Sequence, residues 1–169
     1  HVTGVQTCAL PIYEEGERRA KADHATLQQA TEHITLQGTA RIWDPTGSTD
    51  AATIELDQKT GDMVATERVA STRLPEQKKA AGKPKGSMID SSETIQARAA
   101  KMTTQKQNTW IRYEGGAVMW QGADKVEAET ITIDRKAQVM QANGKVFTQT
   151  RERPKANAKK PVGQMFTLV

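Results

Sequence analysis

The chain has 169 residues, of which 26% are charged and only 4% aromatic, enough for one domain with its own core. No apolar run approaches the roughly eighteen residues of a membrane-spanning helix, and the single cysteine, Cys8, excludes an internal disulfide and a cluster of thiolate metal ligands. The net charge of +4 is concentrated in two runs, Arg73, Lys78, Lys79, Lys83 and Lys85 against Glu76, and Arg151, Arg153, Lys155, Lys159 and Lys160 against Glu152. Each run carries as much positive charge as the whole chain, so the remainder is acidic. Neither run contains an aromatic residue, which argues against a nucleic-acid surface, where bases stack on rings.

Residues 1–12, HVTGVQTCALPI, read like the translation of a sequencing-library adapter and are set aside from fold reasoning. The chain reads as a fragment of a longer protein. The first patterned segment runs over 22–43. Within it, ITLQGTARI alternates strictly, with Ile34, Leu36, Gly38, Ala40 and Ile42 on one face and Thr35, Gln37, Thr39 and Arg41 on the other. Period two predicts a half-buried β-strand. Over 51–72, TIELDQKTGDMVA presents Ile54 and Leu56 inward, a turn opened by Asp57, and a returning strand. Aspartate suits that place because its carboxylate accepts hydrogen bonds from nearby backbone amides. Residues 73–94 lose all periodicity and are rich in Lys, Gly, Ser and Pro, as in a solvated insertion.

The segments 97–120 and 127–149 then repeat the first two. Shifted by 77 residues, Ile34 to Thr72 aligns without a gap on Ile111 to Gln149, with twelve identities, among them Gly38/Gly115, Trp43/Trp120, Ile54/Ile131, Asp57/Asp134 and Met63/Met140. The copies 22–72 and 97–149 are therefore one duplicated unit of two hairpins, and IRYEGGAVM places Ile111, Tyr113, Gly115, Ala117 and Met119 inward. Gly38, Gly115 and Gly144 recur at one place in the returning strand, where glycine permits a bulge. Glu67 occupies that place in the second hairpin, which predicts a gentler bend or a displaced bulge. Residues 151–169 form a basic linker and the opening strand, GQMFTLV, of a further unit.

Little in these residues speaks for catalysis. His24 and His33 are nine apart on different strands with no carboxylate or cysteine at metal-ligand spacing, and glycine-rich phosphate loops and nucleophile elbows are absent from the sequence. Asp57 and Asp134 are turn residues. Trp43 and Trp120, at equivalent strand exits, fit packing across a strand edge better than a ligand mouth. The architecture expected is all-β, eight or nine antiparallel strands in two apposed sheets. The small residues of the inward stripe are compatible with an open seam and also with two close-packed sheets.

The series ADHATL, ITLQGTARIWD, AATIELDQKTGDMVAT, IRYEGGAVMWQGADKVEAETITIDRK and VMQANGKVFTQ resembles the OstA-like domain of the LptA family of lipopolysaccharide-transport proteins. The resemblance spans about two thirds of the chain and places that domain over 13–150. It implies an open, folded-over antiparallel β-jellyroll built from repeated hairpins. It also implies a non-enzymatic periplasmic carrier without cofactor or metal, which shields the acyl chains of lipid A in an apolar groove. Implied partners are lipopolysaccharide and other jellyroll proteins of the transport bridge, joined head to tail through edge strands. The groove residues it implies are Ile34, Leu36, Ile42, Ile54, Leu56, Met63, Val69, Ile111, Tyr113, Met119, Ile131, Ile133, Met140 and Val146. Alternatives within the pathway are an LptC-like component or the N-terminal domain of the outer-membrane assembly protein. Outside it stands a β-repeat scaffold without ligand.

Overall fold

The structure, a computed structural model, describes residues 12–75, 93–137, 139–150 and 166–168. These hold twelve strands: β1 (Ile12–Glu15), β2 (Arg18–Lys21), β3 (His24–Gln28), β4 (His33–Asp44), β5 (Gly47–Asp57), β6 (Met63–Arg73), β7 (Ile95–Gln105), β8 (Trp110–Gln121), β9 (Asp124–Asp134), β10 (Val139–Asn143), β11 (Phe147–Thr150) and β12 (Phe166–Leu168). All pair antiparallel in one sheet of order β1-β2-β4-β5-β6-β7-β8-β9-β11-β12. In addition β3 pairs with β4 beside β2, and β10 pairs with β9 beside β11. The expectation of eight or nine strands in two sheets is thus corrected to twelve in one, because the two outermost of eight long strands are each broken into halves and the short strands β1 and β12 are added at the ends. Most of the expected insertion and most of the basic linker, residues 76–92 and 151–165, lie outside the described residues. The segment expected to open a further unit pairs here with the end of the second copy, Thr148 opposite Leu168 and Thr150 opposite Phe166.

The duplication extends beyond the aligned segment. The same 77-residue shift carries β2 and β3 together onto β7, β4 onto β8, β5 onto β9, and β6 onto β10 with β11. The turns between strands follow from local chemistry. Asp57 Oδ1 accepts the amide hydrogens of Lys59 and Thr60 at 2.9 Å each, Asp134 Oδ1 accepts that of Ala137 at 2.8 Å, and Asp44 Oδ1 accepts that of Thr46 at 2.7 Å. Each carboxylate satisfies turn amides that lack a ladder partner.

One irregularity crosses the whole sheet. The register shifts between Gln37 and Ala40, between Thr66 and Val69, and between Glu114 and Ala117, in each case against a single skipped residue on a neighbouring strand. This is a line of β-bulges. On β4, β6 and β8 three residues (37–39, 66–68 and 114–116) separate consecutive buried positions; on β5, β7 and β9 two do (52–53, 100–101 and 129–130). Gly38 and Gly115, expected inward, therefore lie on the outer face at φ +97° and +80°, where the chain needs a left-handed conformation that glycine adopts freely. The bulge is not displaced in the glycine-free copy. Glu67 and Arg68 take φ of +62° and +55°, so the pairing of β6 with both neighbours imposes the bulge on residues that resist it.

The described residues contain no helix to cover either face of this sheet, yet one face is almost fully buried, with Ala20, Ile54, Ala65 and Ile131 at 0% exposure. A single sheet can bury its own face only by folding over on itself, which the bulges allow by bending every long strand at the same level. Among the described residues the leading strands β1 to β3 are not paired with the trailing strands β10 to β12. The roll is open along one side.

Candidate functional site

Laid across the strands, the inward residues form rows. One row runs Ile34, Leu56, Met63, Thr104, Ile111, Ile133 and Met140, and the next Leu36, Ile54, Ala65, Met102, Tyr113, Ile131 and Ala142. Beyond the bulges lies a belt of small side chains, Ala40, Ala51, Ala99, Ala117 and Ala128, all buried. It is followed by Ile42, Thr49, Ser71, Ala97, Met119 and Val126. With Val69, which lies in the same row, the alanines make the belt the part of the inward face with the smallest side chains.

Of the residues expected to form the inward face, Ile34, Leu36, Ile42, Ile54, Leu56, Met63, Val69, Ile111, Tyr113, Met119 and Ile131 are buried in one cluster, and Ile133 and Met140 pack half-buried against it. Val146 does not join them. It is 44% exposed, whereas Val69, its counterpart in the first copy, is buried. The reason lies in the ends of the copies. β6 runs through its bulge between β5 and β7, but its counterpart breaks at Gly144 and Lys145 into β10 and β11, and Val146 sits in the break. Sequence reading missed Ala97, Ala99, Met102 and Thr104 on β7 and Thr49 on β5. The available signal was alternation that shifts phase by one residue, a single-residue bulge that a strict period of two hides.

A partly open cavity of about 60 Å³ lies within the roll. It is lined near one end by Arg18, Trp43, Asp44 and Arg73, along its length by Thr49, Ser71, Met102 and Tyr113, and toward the other end by Leu56, Met63, Ile111, Gly61 and Asn108. A buried water needs roughly 10–15 Å³ of such space, so the cavity has room for a few molecules of that size and is too small for a long acyl chain. Inside it Ser71 Oγ and Tyr113 Oη share a 2.7 Å hydrogen bond. Burial pushes the Tyr113 phenol above its usual range, an effect that the bond to Ser71 and the Arg73 charge only moderate. The two tryptophans part company: Trp43 lines the cavity, while Trp120 packs outside, its Nε1–H donating to Gln96 Oε1 at 2.6 Å with the Arg98 guanidinium 5.5 Å from its ring centre.

The outer face holds the folding chemistry of the bulges. Asp23, between β2 and β3, accepts the Thr39 amide hydrogen at 2.9 Å and the Thr39 hydroxyl at 2.9–3.0 Å. The amide hydrogen bond, then the hydroxyl, hold the Asp23 carboxyl below its usual range. A Cβ on Gly38 would come within 2.1 Å of Asp23 Oδ2. In the second copy Ala100 stands at this place over Gly115. The carboxylate is therefore dispensable to the bulge, and the glycine is what both copies share.

Comparison with known proteins agrees with this geometry. No curated protein matches the sequence. The crystal structure of LptH, the LptA homologous periplasmic component of the lipopolysaccharide transport device from Pseudomonas aeruginosa, shares the fold, with a TM-score of 0.62 at 14% identity over 90% of this chain and 94% of that one. The family model described as LptA/(LptD N-terminal domain) LPS transport protein matches residues 3–62 and again 60–139, two successive matches in keeping with the internal duplication. Because together they cover most of the chain, the protein belongs to the LptA/(LptD N-terminal domain) family of LPS transport proteins.

Proposed function

We propose that this protein is a non-enzymatic lipopolysaccharide carrier of the periplasm that takes the acyl chains of its lipid between the two halves of the folded sheet. The observation that carries this reading is a continuous apolar inward face on a sheet whose two edges are not paired with each other among the described residues. Each methylene removed from water contributes about 0.8 kcal/mol, so a twelve-carbon chain gains on the order of 10 kcal/mol from such a face. The cavity must widen to admit it. Widening costs packing contacts between the halves but no strand-to-strand hydrogen bond, because among the described residues no ladder joins the first strands to the last. The groove residues are the inward set without Val146. The exposed edges at β3 and β10 offer unpaired backbone to neighbouring jellyroll proteins.

The small cavity favours a second reading, a closed-core β-scaffold without ligand. A polarity-sensitive fluorescent fatty acid separates the two: a groove that opens gives a saturable signal, and a closed core gives none.

A further inference from the structure

Among the described residues, one fully buried hydroxyl is left without a partner by the fold. Thr104 on β7 is 2% exposed and lines the cavity, and its Oγ1 has no hydrogen-bond partner. Its row neighbours are Met63 and Ile111, whose side chains offer no acceptor of consequence. The residue at its place in the first copy is Leu27. Valine would fill the volume of this threonine without burying an unanswered polar atom, which costs as much as a broken hydrogen bond. Every other member of the row, from Ile34 to Met140, is apolar. A hydroxyl at this depth has a purpose if the occupant of the cavity brings an oxygen to it.

We propose that Thr104 is the hydrogen-bonding point for an oxygen carried along an acyl chain, so that the groove selects hydroxylated fatty acyl chains over plain ones. This rests on the acyl-carrier reading above and adds the class of chain. The Ser71 and Tyr113 hydroxyls, which line the same cavity, have each other as partners, whereas the fully buried Thr104 hydroxyl has none.

The test is competition. The fluorescent fatty acid is displaced from the whole chain by octadecanoic acid, 3-hydroxyoctadecanoic acid or 12-hydroxyoctadecanoic acid, for the wild type and for Thr104→Val and Thr104→Ser. One well-placed hydrogen bond corresponds to about fivefold in affinity. The wild type should prefer one of the hydroxy acids over the plain acid by about that factor, Thr104→Ser should keep the preference, and Thr104→Val should bring the ratio close to one. Equal affinity for all three acids in the wild type, or an undiminished preference in Thr104→Val, overturns the proposal and leaves the carrier reading standing. Failure of every acid to displace the probe overturns both.

Discussion

Ser71 Oγ and Tyr113 Oη lie 2.7 Å apart although their strands, β6 and β8, are separated in the sheet by β7. On a flat sheet they would stand about two strand spacings, near 10 Å, apart across the sheet, and several residues, at about 3.3 Å each, apart along it, since Ser71 is level with Met119 and not with Tyr113. The bond therefore reports the curvature of the sheet. It also joins the two copies of the repeat, since Ser71 belongs to the first and Tyr113 to the second. Replacing Tyr113 by Phe should destabilise the fold by about 1 kcal/mol, because the Ser71 hydroxyl loses its partner. The double variant Ser71→Ala/Tyr113→Phe should cost less than the sum of the single changes in urea denaturation. Strict additivity would show that the pair is not formed.

The bulge on β6 gives a stabilising prediction. Glu67 holds a left-handed backbone at φ +62°, a conformation that costs a residue with a side chain about 1 kcal/mol relative to glycine. Glu67→Gly should raise the urea midpoint accordingly, even though glycine within a strand ordinarily lowers stability. A lower midpoint would mean that the Glu67 side chain makes a contribution larger than the strain.

Two other glycines separate strain from space. Gly38 and Gly116 both have positive φ, but a Cβ on Gly38 would strike Asp23, whereas one on Gly116 meets nothing within 4 Å. Gly116→Ala should cost about 1 kcal/mol from backbone strain alone, and Gly38→Ala should cost clearly more. The combination Gly38→Ala with Asp23→Ala should cost less than the sum of the two single changes, as read from thermal melting of the set.

The Asp23 carboxyl yields a pH dependence with a definite sign. Its hydrogen bonds from Thr39 lower its value in the folded state below the ordinary 3.8, and the amides of Thr60 and Lys59 do the same for Asp57. A group depressed in this way stabilises the fold above its unfolded value, and the contribution is lost as pH falls through the lower folded value. Melting temperatures followed from pH 7 down to pH 3 should show wild type and Asp23→Asn converging below about pH 4. A gap that stays constant across this window would show that the carboxylate charge is not the source.

The groove assignment is checked by photo-crosslinking to lipopolysaccharide. Probes placed at Ile111 and Ile133, on the inward face, should label the lipid. Probes at Arg112 and Thr132, which alternate with them on the outer face, should not. Equal labelling from both faces would end the groove reading.

Most of the architecture was legible in the sequence because β-strands advertise themselves by local means. The 77-residue repeat, the alternation of Ile34 with Leu36 and of Ile111 with Tyr113, and the aspartates at 57 and 134 depend on neighbours along the chain, and each appears in the structure where the pattern puts it. Phase was harder. A bulge slips the alternation by one residue or by two, and only the pairing partner decides which, so Met102 and Thr104 were missed while Gly38 and Gly115 were given to the wrong face. Glu67 shows the limit most clearly. Its composition predicts a gentler bend, yet the ladders on both sides of β6 force the same bulge that glycine makes elsewhere.

What the sequence determined by itself is the duplicated set of hairpins, the inward apolar face and the acidic body between basic runs, since these follow from periodicity, composition and charge order. What only the tertiary structure decided is how that face is covered: the bulges align into a single bend, the leading and trailing strands are not paired among the described residues, and Thr104 is left with a buried hydroxyl and no partner. Those outcomes depend on pairs of residues such as Ser71 and Tyr113 that the chain separates widely and the fold brings together, and no local pattern records such a meeting.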